Sequence, residues 1–145
     1  MKMIVQDESL PIDTQVVEHG LIEHALAAGI EPRNYRPLVI FLYDETETVV
    51  GGLVAATVWG WLHVKEFWIA EQYRSQGWGT KLLELAERQA MGRQCHHAFL
   101  DTFDFQALGF YQQLGYEIFG SLADFPQGHV RYFVKKCLVS TEGAA

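Results

Sequence analysis

Phe67-Trp68-Ile69-Ala70-Glu71-Gln72-Tyr73-Arg74-Ser75-Gln76-Gly77-Trp78-Gly79-Thr80-Lys81-Leu82-Leu83 is the stretch on which the fold turns. An apolar run ends at Ala70. A polar loop bearing Gly77 and Gly79 follows, and Leu82, Leu83, Leu85, Ala86 and Ala90 then recur at helical spacing. A strand therefore runs through a glycine loop straight into an amphipathic helix. The first turn of a helix has N–H groups without intrahelical partners and a partial positive charge, and glycine lets a ligand approach the backbone closely. The combination suits a phosphate or pyrophosphate, although glycines before a helix also serve as plain turn residues. Two well-known phosphate loops fit poorly. A dinucleotide fingerprint needs a third glycine three residues after Gly79, where Leu82 stands, and a P-loop needs Gly-Lys-Ser/Thr where this chain has Gly79-Thr80-Lys81.

On the N-terminal side of this stretch, residues 3–5 are a short strand candidate and residues 9–29 read as a helix. Pro11 stands near its start, Val17, Leu21, Ala25 and Leu26 share a face, and Gly29 closes it. Residues 38–43 and 49–59 form a strand hairpin about the polar turn 44–48, and Gly51 and Gly52 signal a bulge or a close backbone approach. Gly60 turns the chain into a third hairpin strand, 61–70. Beyond the glycine loop come a helix at 80–91, a strand at 98–102, a helix at 105–114 ended by Gly115, and strands at 116–120 and 130–135. The order β-α-β-β-β-α-β-α-β-β predicts an α/β (α+β) chain with a mixed sheet of about seven strands and helices on both faces.

The 145 residues suit a single domain, expected over residues 1–139, with a frayed tail at 140–145. Hydrophobic residues make up 49% and charged residues 20%, the balance of a globular chain. A net charge of −7 argues against non-specific nucleic-acid binding, which needs a basic surface. The two cysteines, Cys95 and Cys137, form neither a disulfide framework nor a metal-ligand pattern. No apolar run reaches the roughly 18 residues of a membrane span, and the acidic start is unlike a signal peptide. A cytoplasmic protein is expected, with no metal, nucleic acid or membrane partner.

Arg74-Ser75-Gln76-Gly77-Trp78-Gly79 resembles the pyrophosphate motif Gln/Arg-x-x-Gly-x-Gly/Ala of the GNAT superfamily of acetyl-CoA-dependent N-acetyltransferases. Ala107-Leu108-Gly109-Phe110-Tyr111-Gln112-Gln113-Leu114-Gly115-Tyr116 is similar to the family's Ala-x-x-Phe-Tyr-x-x-x-Gly-Phe segment. The resemblance implies the GNAT acyl-CoA N-acyltransferase fold and transfer of an acetyl group from acetyl-CoA to an amine, by direct attack in a ternary complex. It implies that the backbone of Phe67, Trp68 and Ile69 pairs with the pantetheine arm where the strand splays at a bulge. Arg74, Ser75, Gln76, Gly77, Trp78, Gly79 and the Thr80 hydroxyl would surround the pyrophosphate. Asp104 stands where many members carry an Asn that touches the cofactor. A homodimer is compatible with family habit.

For catalysis the resemblance nominates Tyr111, whose phenol would protonate the departing thiolate; its rival reading is an aromatic core residue. His63 lies where several members place a base, and its ordinary pKa of about 6.5 suits that task. Glu66 is the reserve, and strand alternation sets it on the opposite face from His63 unless a bulge intervenes; water is the third choice. Thr102, Gln106, His129 and Arg131 are secondary candidates for the cleft. His96-His97 reads as a strand entry, and Trp59, Trp61, Trp68 and Phe67 read as packing. An acyl-CoA-binding sensor with little turnover is the alternative function, since fold alone does not fix activity.

Overall fold

The structure, a computed structural model, describes residues 1–138, so the tail expected at 140–145 lies outside the described residues. The chain divides into two compact units, Met1–Arg33 and a second that begins at Asn34. In the first, helix α1 (Pro11–Ala27) opens on a proline, whose missing N–H is no loss in a first turn. It closes through Gly29 at φ +82°, with the Ile30 N–H donating to the Ala25 carbonyl at 3.0 Å. Residues 3–5, expected to be a strand, have no regular structure. Three apolar residues ahead of an acidic run offer too few ladder bonds to hold a strand.

The second unit is built on a mixed sheet. Among the described residues it has six strands rather than about seven: β1 (Arg36–Tyr43), β2 (Val49–Val58), β3 (Trp61–Ile69), β4 (His97–Phe103), β5 (Glu117–Ala123) and β6 (Val130–Cys137). Their order is β1-β2-β3-β4-β6-β5. The β3–β4 pair is parallel and the others are antiparallel. Helix α2 (Trp78–Gly92) makes the β3–β4 crossover and α3 (Leu108–Gln113) follows β4. Helix α2 starts two residues earlier than the sequence predicts, and α3 is confined to the last part of its predicted span. The β2–β3 turn is the two-residue Trp59-Gly60, both at positive φ, as a tight hairpin requires. Gly51 and Gly52 do mark close backbone approaches: a Cβ at Gly51 would lie 3.0 Å from the Trp68 carbonyl oxygen, and one at Gly52 2.8 Å from that of Ile40.

One face of the sheet, carrying Leu38, Leu53, Ala55, Leu62, Val64, Ala98, Leu100 and Val134, packs with Leu83, Ala86 and Ala90 of α2 into the core. Leu85, expected to point inward, is only half-buried, and Glu87 is buried in its stead. Its carboxylate accepts from Lys136 Nζ at 2.8 and 2.9 Å, which ties α2 to β6.

Two irregularities in β3 shape the region beyond the core. Val54 pairs with Glu66 but Ala55 with Val64, so Lys65 is the extra residue of a β-bulge. The bulge reverses the alternation. Leu62, Val64, Phe67 and Ile69 share the core face, while His63, Glu66 and Trp68 share the other. Pairing of β3 with β4 then runs from Trp61–His97 to Val64–Leu100 and ends there.

The Glu87–Lys136 pair yields a stability prediction. Lys136→Met leaves a buried carboxylate without its cation and should destabilise by roughly 3 kcal/mol. The double variant with Glu87→Gln should recover most of that loss in urea denaturation. Equal losses in the single and double variants would show that the ion pair does not couple helix to strand.

Candidate active site

Where β3 and β4 part, a cleft of about 660 Å³ opens. Phe67, Trp68 and Ile69 line it from β3, and Arg74, Ser75, Gly77, Gly79 and Thr80 from the loop and the first turn of α2. Thr102, Phe105, Gln106, Ala107, Phe110 and Tyr111 form the opposing wall. Eight of the cofactor-site residues expected from sequence thus meet at one cleft with Tyr111. Gln76 and Trp78 instead line a neighbouring depression of about 400 Å³ beside Tyr43 and Asp44. Trp68 is 55% exposed at the cleft, so it is not the packing residue expected.

The glycine loop is held by its own polar groups. Arg74 Nε donates to the Ile69 carbonyl at 2.8 Å, which occupies the last acceptor of β3, and Gln76 Nε2 donates to the Gln72 carbonyl at 2.9 Å. Ser75 at φ +60° and Gly77 at φ +86° turn the chain into α2. Gly77 is the N-cap, no side chain caps the helix, and its first turn has no acidic residue. The positive end of α2 is therefore left for a ligand to neutralise. The two glycines differ in kind. A Cβ on Gly77 would meet no protein atom within 4 Å, whereas one on Gly79 would lie 3.2 Å from Phe110 Cζ. Gly77 answers to backbone conformation and cleft access, and Gly79 to packing of α2 against α3.

Tyr111 is only 6% exposed, set edge-on to Phe67, Phe110 and Tyr116. Burial, with a smaller contribution from the Asp101 charge, pushes its phenol up to about 12, so it stays protonated through the neutral range. His63 is absent from the lining of the cleft. Its ring lies flat on Phe99, with centroids 4.3 Å apart and planes 11° apart. Burial and then the Lys65 charge hold its pKa below the usual 6.5, against an opposing pull from Asp101. The bulge brings Glu66 onto the face of His63, reversing the plain alternation. Asp104 also lies outside the cleft lining. One carboxylate oxygen is 2.9 Å from His129 Nδ1 and the other accepts from the Val130 N–H at 3.1 Å. That carboxylate closes the entry to β6.

Thr102 Oγ1 donates to Gln106 Oε1 at 3.2 Å, a bond that shapes the turn behind the cleft wall. His97 stacks on Trp61 with centroids 4.5 Å apart, in keeping with a strand entry. Cys95 is buried, and burial pushes its thiol pKa up. Sequence reasoning passed over Asp101, the first residue of β4 beyond the last β3 pair. An acid between the aromatic Phe99 and Phe103 on the strand's outward face was the available signal. It also passed over Phe105, for which no sequence signal existed, and met Ala107 only as the first residue of the Ala107–Tyr116 segment.

The family model described as Acetyltransferase (GNAT) family matches residues 8–116. An acetyltransferase of Agrobacterium fabrum is 32% identical over 136 residues, covering 94% of this chain and 98% of that protein. Blasticidin-S acetyltransferase of Streptomyces morookaense is 36% identical over 105 residues, 70% of this chain and 77% of that protein. The crystal structure of an acetyltransferase from Bacillus cereus superposes with a TM-score of 0.81 at 26% identity, over 94% of this chain and 99% of that one. An aminoglycoside 6′-N-acetyltransferase solved with coenzyme A shares the fold at a TM-score of 0.64 and 17% identity, over 72% and 74% of the two chains.

The glycine geometry predicts a separation of effects. Gly79→Val should cost about 1–3 kcal/mol by forcing α2 off Phe110, and Gly77→Ala about 1 kcal/mol from its left-handed backbone alone. Urea denaturation of both variants checks the order; a larger loss at Gly77 would contradict it.

Proposed function

Since the chain belongs to the GNAT family of acetyltransferases, we propose that it transfers the acetyl group of acetyl-CoA to a primary amine by direct attack in a ternary complex. Residues 1–139 act as one domain in this reading, and the family match from residue 8 to 116 supports it by crossing both compact units. The observation that carries the proposal is the cleft: splayed backbone, a glycine-lined helix start without a capping acid, and a buried phenol converge there. Bound acetyl-CoA supplies an activated acyl carbon and a thiolate leaving group.

The backbone of Phe67 takes up the pantetheine arm as an added strand, while that of Trp68, opposite Gly52 and in phase with the Ala70–Val50 bond, faces β2. Ile69 contributes through its N–H, since Arg74 already occupies its carbonyl. The N–H groups from Ser75 to Gly79, with the Thr80 hydroxyl, hold the pyrophosphate. Gln76 and Trp78 act there through their backbones, because their side chains lie beside the neighbouring depression. Asp104 positions the start of β6 and makes no cofactor contact. As the C–N bond forms, the N–H of Phe67 stabilises the oxyanion, and the amine's proton passes to neutral His63 or through water. As the C–S bond breaks, Tyr111 donates to the sulfur. A phenol at about 12 is a weaker acid than a thiol, ordinarily about 8.5. Its main contribution is therefore a hydrogen bond that strengthens as charge develops, and the departing thiolate becomes a thiol by taking up a proton equivalent to the one the amine releases. The relationship to a blasticidin-S acetyltransferase makes antibiotic amines the acceptors to try first.

Calorimetric titration with acetyl-CoA, with ATP and NAD as controls, tests the cofactor; absence of acetyl-CoA binding would sink the proposal. Tyr111→Phe should lower kcat by roughly 10²-fold with acetyl-CoA affinity nearly unchanged, and unchanged turnover would remove Tyr111 from the mechanism. The depressed His63 pKa sets a sign for the pH profile. The imidazole is a free base above a value below 6.5, so kcat/KM should fall as pH drops through that value. His63→Gln should abolish that acid limb, and an unaltered limb would assign the base to water or Glu66.

A further inference from the structure

The cleft begins where β3–β4 pairing ends at Val64 and Leu100, and its lining includes core-facing Phe67 and Ile69 as well as Trp68, on the face opposite the core. On that side alternation places His63 of β3 with Phe99, Asp101 and Phe103 of β4, since Ala98, Leu100 and Thr102 between them are buried in the core. Asp101 is the first residue past the last pair. Its Oδ2 accepts from Arg131 Nε at 2.7 Å, and among the described residues Oδ1 has no hydrogen-bond partner. Arg131 is itself held by Phe103, Phe125 and Phe133, whose ring centroids lie 5.5, 4.6 and 5.2 Å from its guanidinium carbon. The carboxylate is therefore fixed in orientation and four-fifths buried, with one oxygen uncommitted. Its charge acts on both the His63 ring and the Tyr111 phenol.

We infer that Asp101 is the anionic anchor of the acceptor site: the acceptor enters from the face opposite α2 as an ammonium ion, binds Asp101 Oδ1, and lays an apolar or aromatic stem against Phe99 and Phe103. The inference rests on the acetyl-transfer reading for what happens next, but the anchor is a binding property and is measurable without turnover. A charge-assisted hydrogen bond in a half-buried setting is strong enough to select a cation over its neutral isostere. Lys65, Glu66, Lys135, Lys136 (bound to Glu87) and Arg131 itself are the other charged groups on or beside these strands. Only Asp101 combines burial with a fixed orientation at the edge of the gap. From Asp101 the amine is delivered to the gap beside His63, where its proton leaves before the nitrogen attacks.

The test is an amide-resonance titration of the full chain, saturated with coenzyme A, using phenethylammonium and the neutral 2-phenylethanol as probes. The wild type should bind the ammonium at least about tenfold more tightly than the alcohol, with shifts centred on residues 99–103. Asp101→Asn should abolish the preference. Arg131→Gln should keep or increase it, because the carboxylate loses a competing cation. Equal binding of the two probes to the wild type would overturn the inference without any variant. So would loss of preference in Arg131→Gln equal to that in Asp101→Asn, which would make Asp101 merely the partner of Arg131. Coenzyme A titrated first separates the two readings. If it fails to bind while the ammonium preference holds, the cofactor proposal falls alone; if it binds and the preference is absent, the anchor falls alone.

Discussion

Past Val64 and Leu100, strands β3 and β4 share no further ladder, and the rest of the site depends on that parting. A parallel pair that ran to the ends of both strands would seal the sheet and satisfy every backbone group internally. Here Lys65, the extra residue of a β-bulge, a feature that sharpens local twist, immediately follows the last β3 residue paired with β4. Three consequences follow. The outward backbone donor and acceptor of Phe67 border a cleft. Tyr111 and the start of α2 gain access to it from the core side. Asp101, which would otherwise sit opposite a β3 residue, is left at the edge of the gap.

The parts of this arrangement that were legible in the sequence are those set by local pattern. The glycine loop, the apolar stripe of α2 and the order of elements from the first helix onward depend on near neighbours, and the structure has them with boundaries shifted by a few residues. The bulge is a tertiary event, but it left a trace. In Trp61-Leu62-His63-Val64-Lys65-Glu66-Phe67-Trp68-Ile69, the core positions Leu62 and Val64 are followed by Phe67 and Ile69, one residue out of phase, with two adjacent charges at the slip. Read as plain alternation, the segment sets Glu66 apart from His63; read with the slip, it puts them together.

The side-chain partnerships could not be read from sequence, because each joins residues far apart in the chain. Asp104 bonds His129 and Val130, 25 and 26 residues on. Those bonds give a physical reason for an acid at this position: a carboxylate can accept from a backbone N–H and an imidazole together, and here both oxygens are used. Glu87 was illegible in the same way. An acid on the apolar stripe of a helix looks like a pattern error until Lys136, on a strand 49 residues later, is seen to meet it.

The electrostatics of the proposed chemistry come from one cause acting on two kinds of group. Burial disfavours charge, so it raises the Tyr111 phenol and lowers the His63 imidazole. A proton donor and a proton acceptor are thereby both kept neutral at the same pH, the state that each needs before reaction. Asp101 works against burial at His63 and with it at Tyr111, since a nearby anion stabilises any proton. An arriving ammonium would offset that anion. With the Asp101 charge neutralised, the imidazole would lose its one stabilising neighbour and the phenol one of its two restraints. Binding of the cationic acceptor would then make the phenol a stronger acid and the imidazole a weaker base.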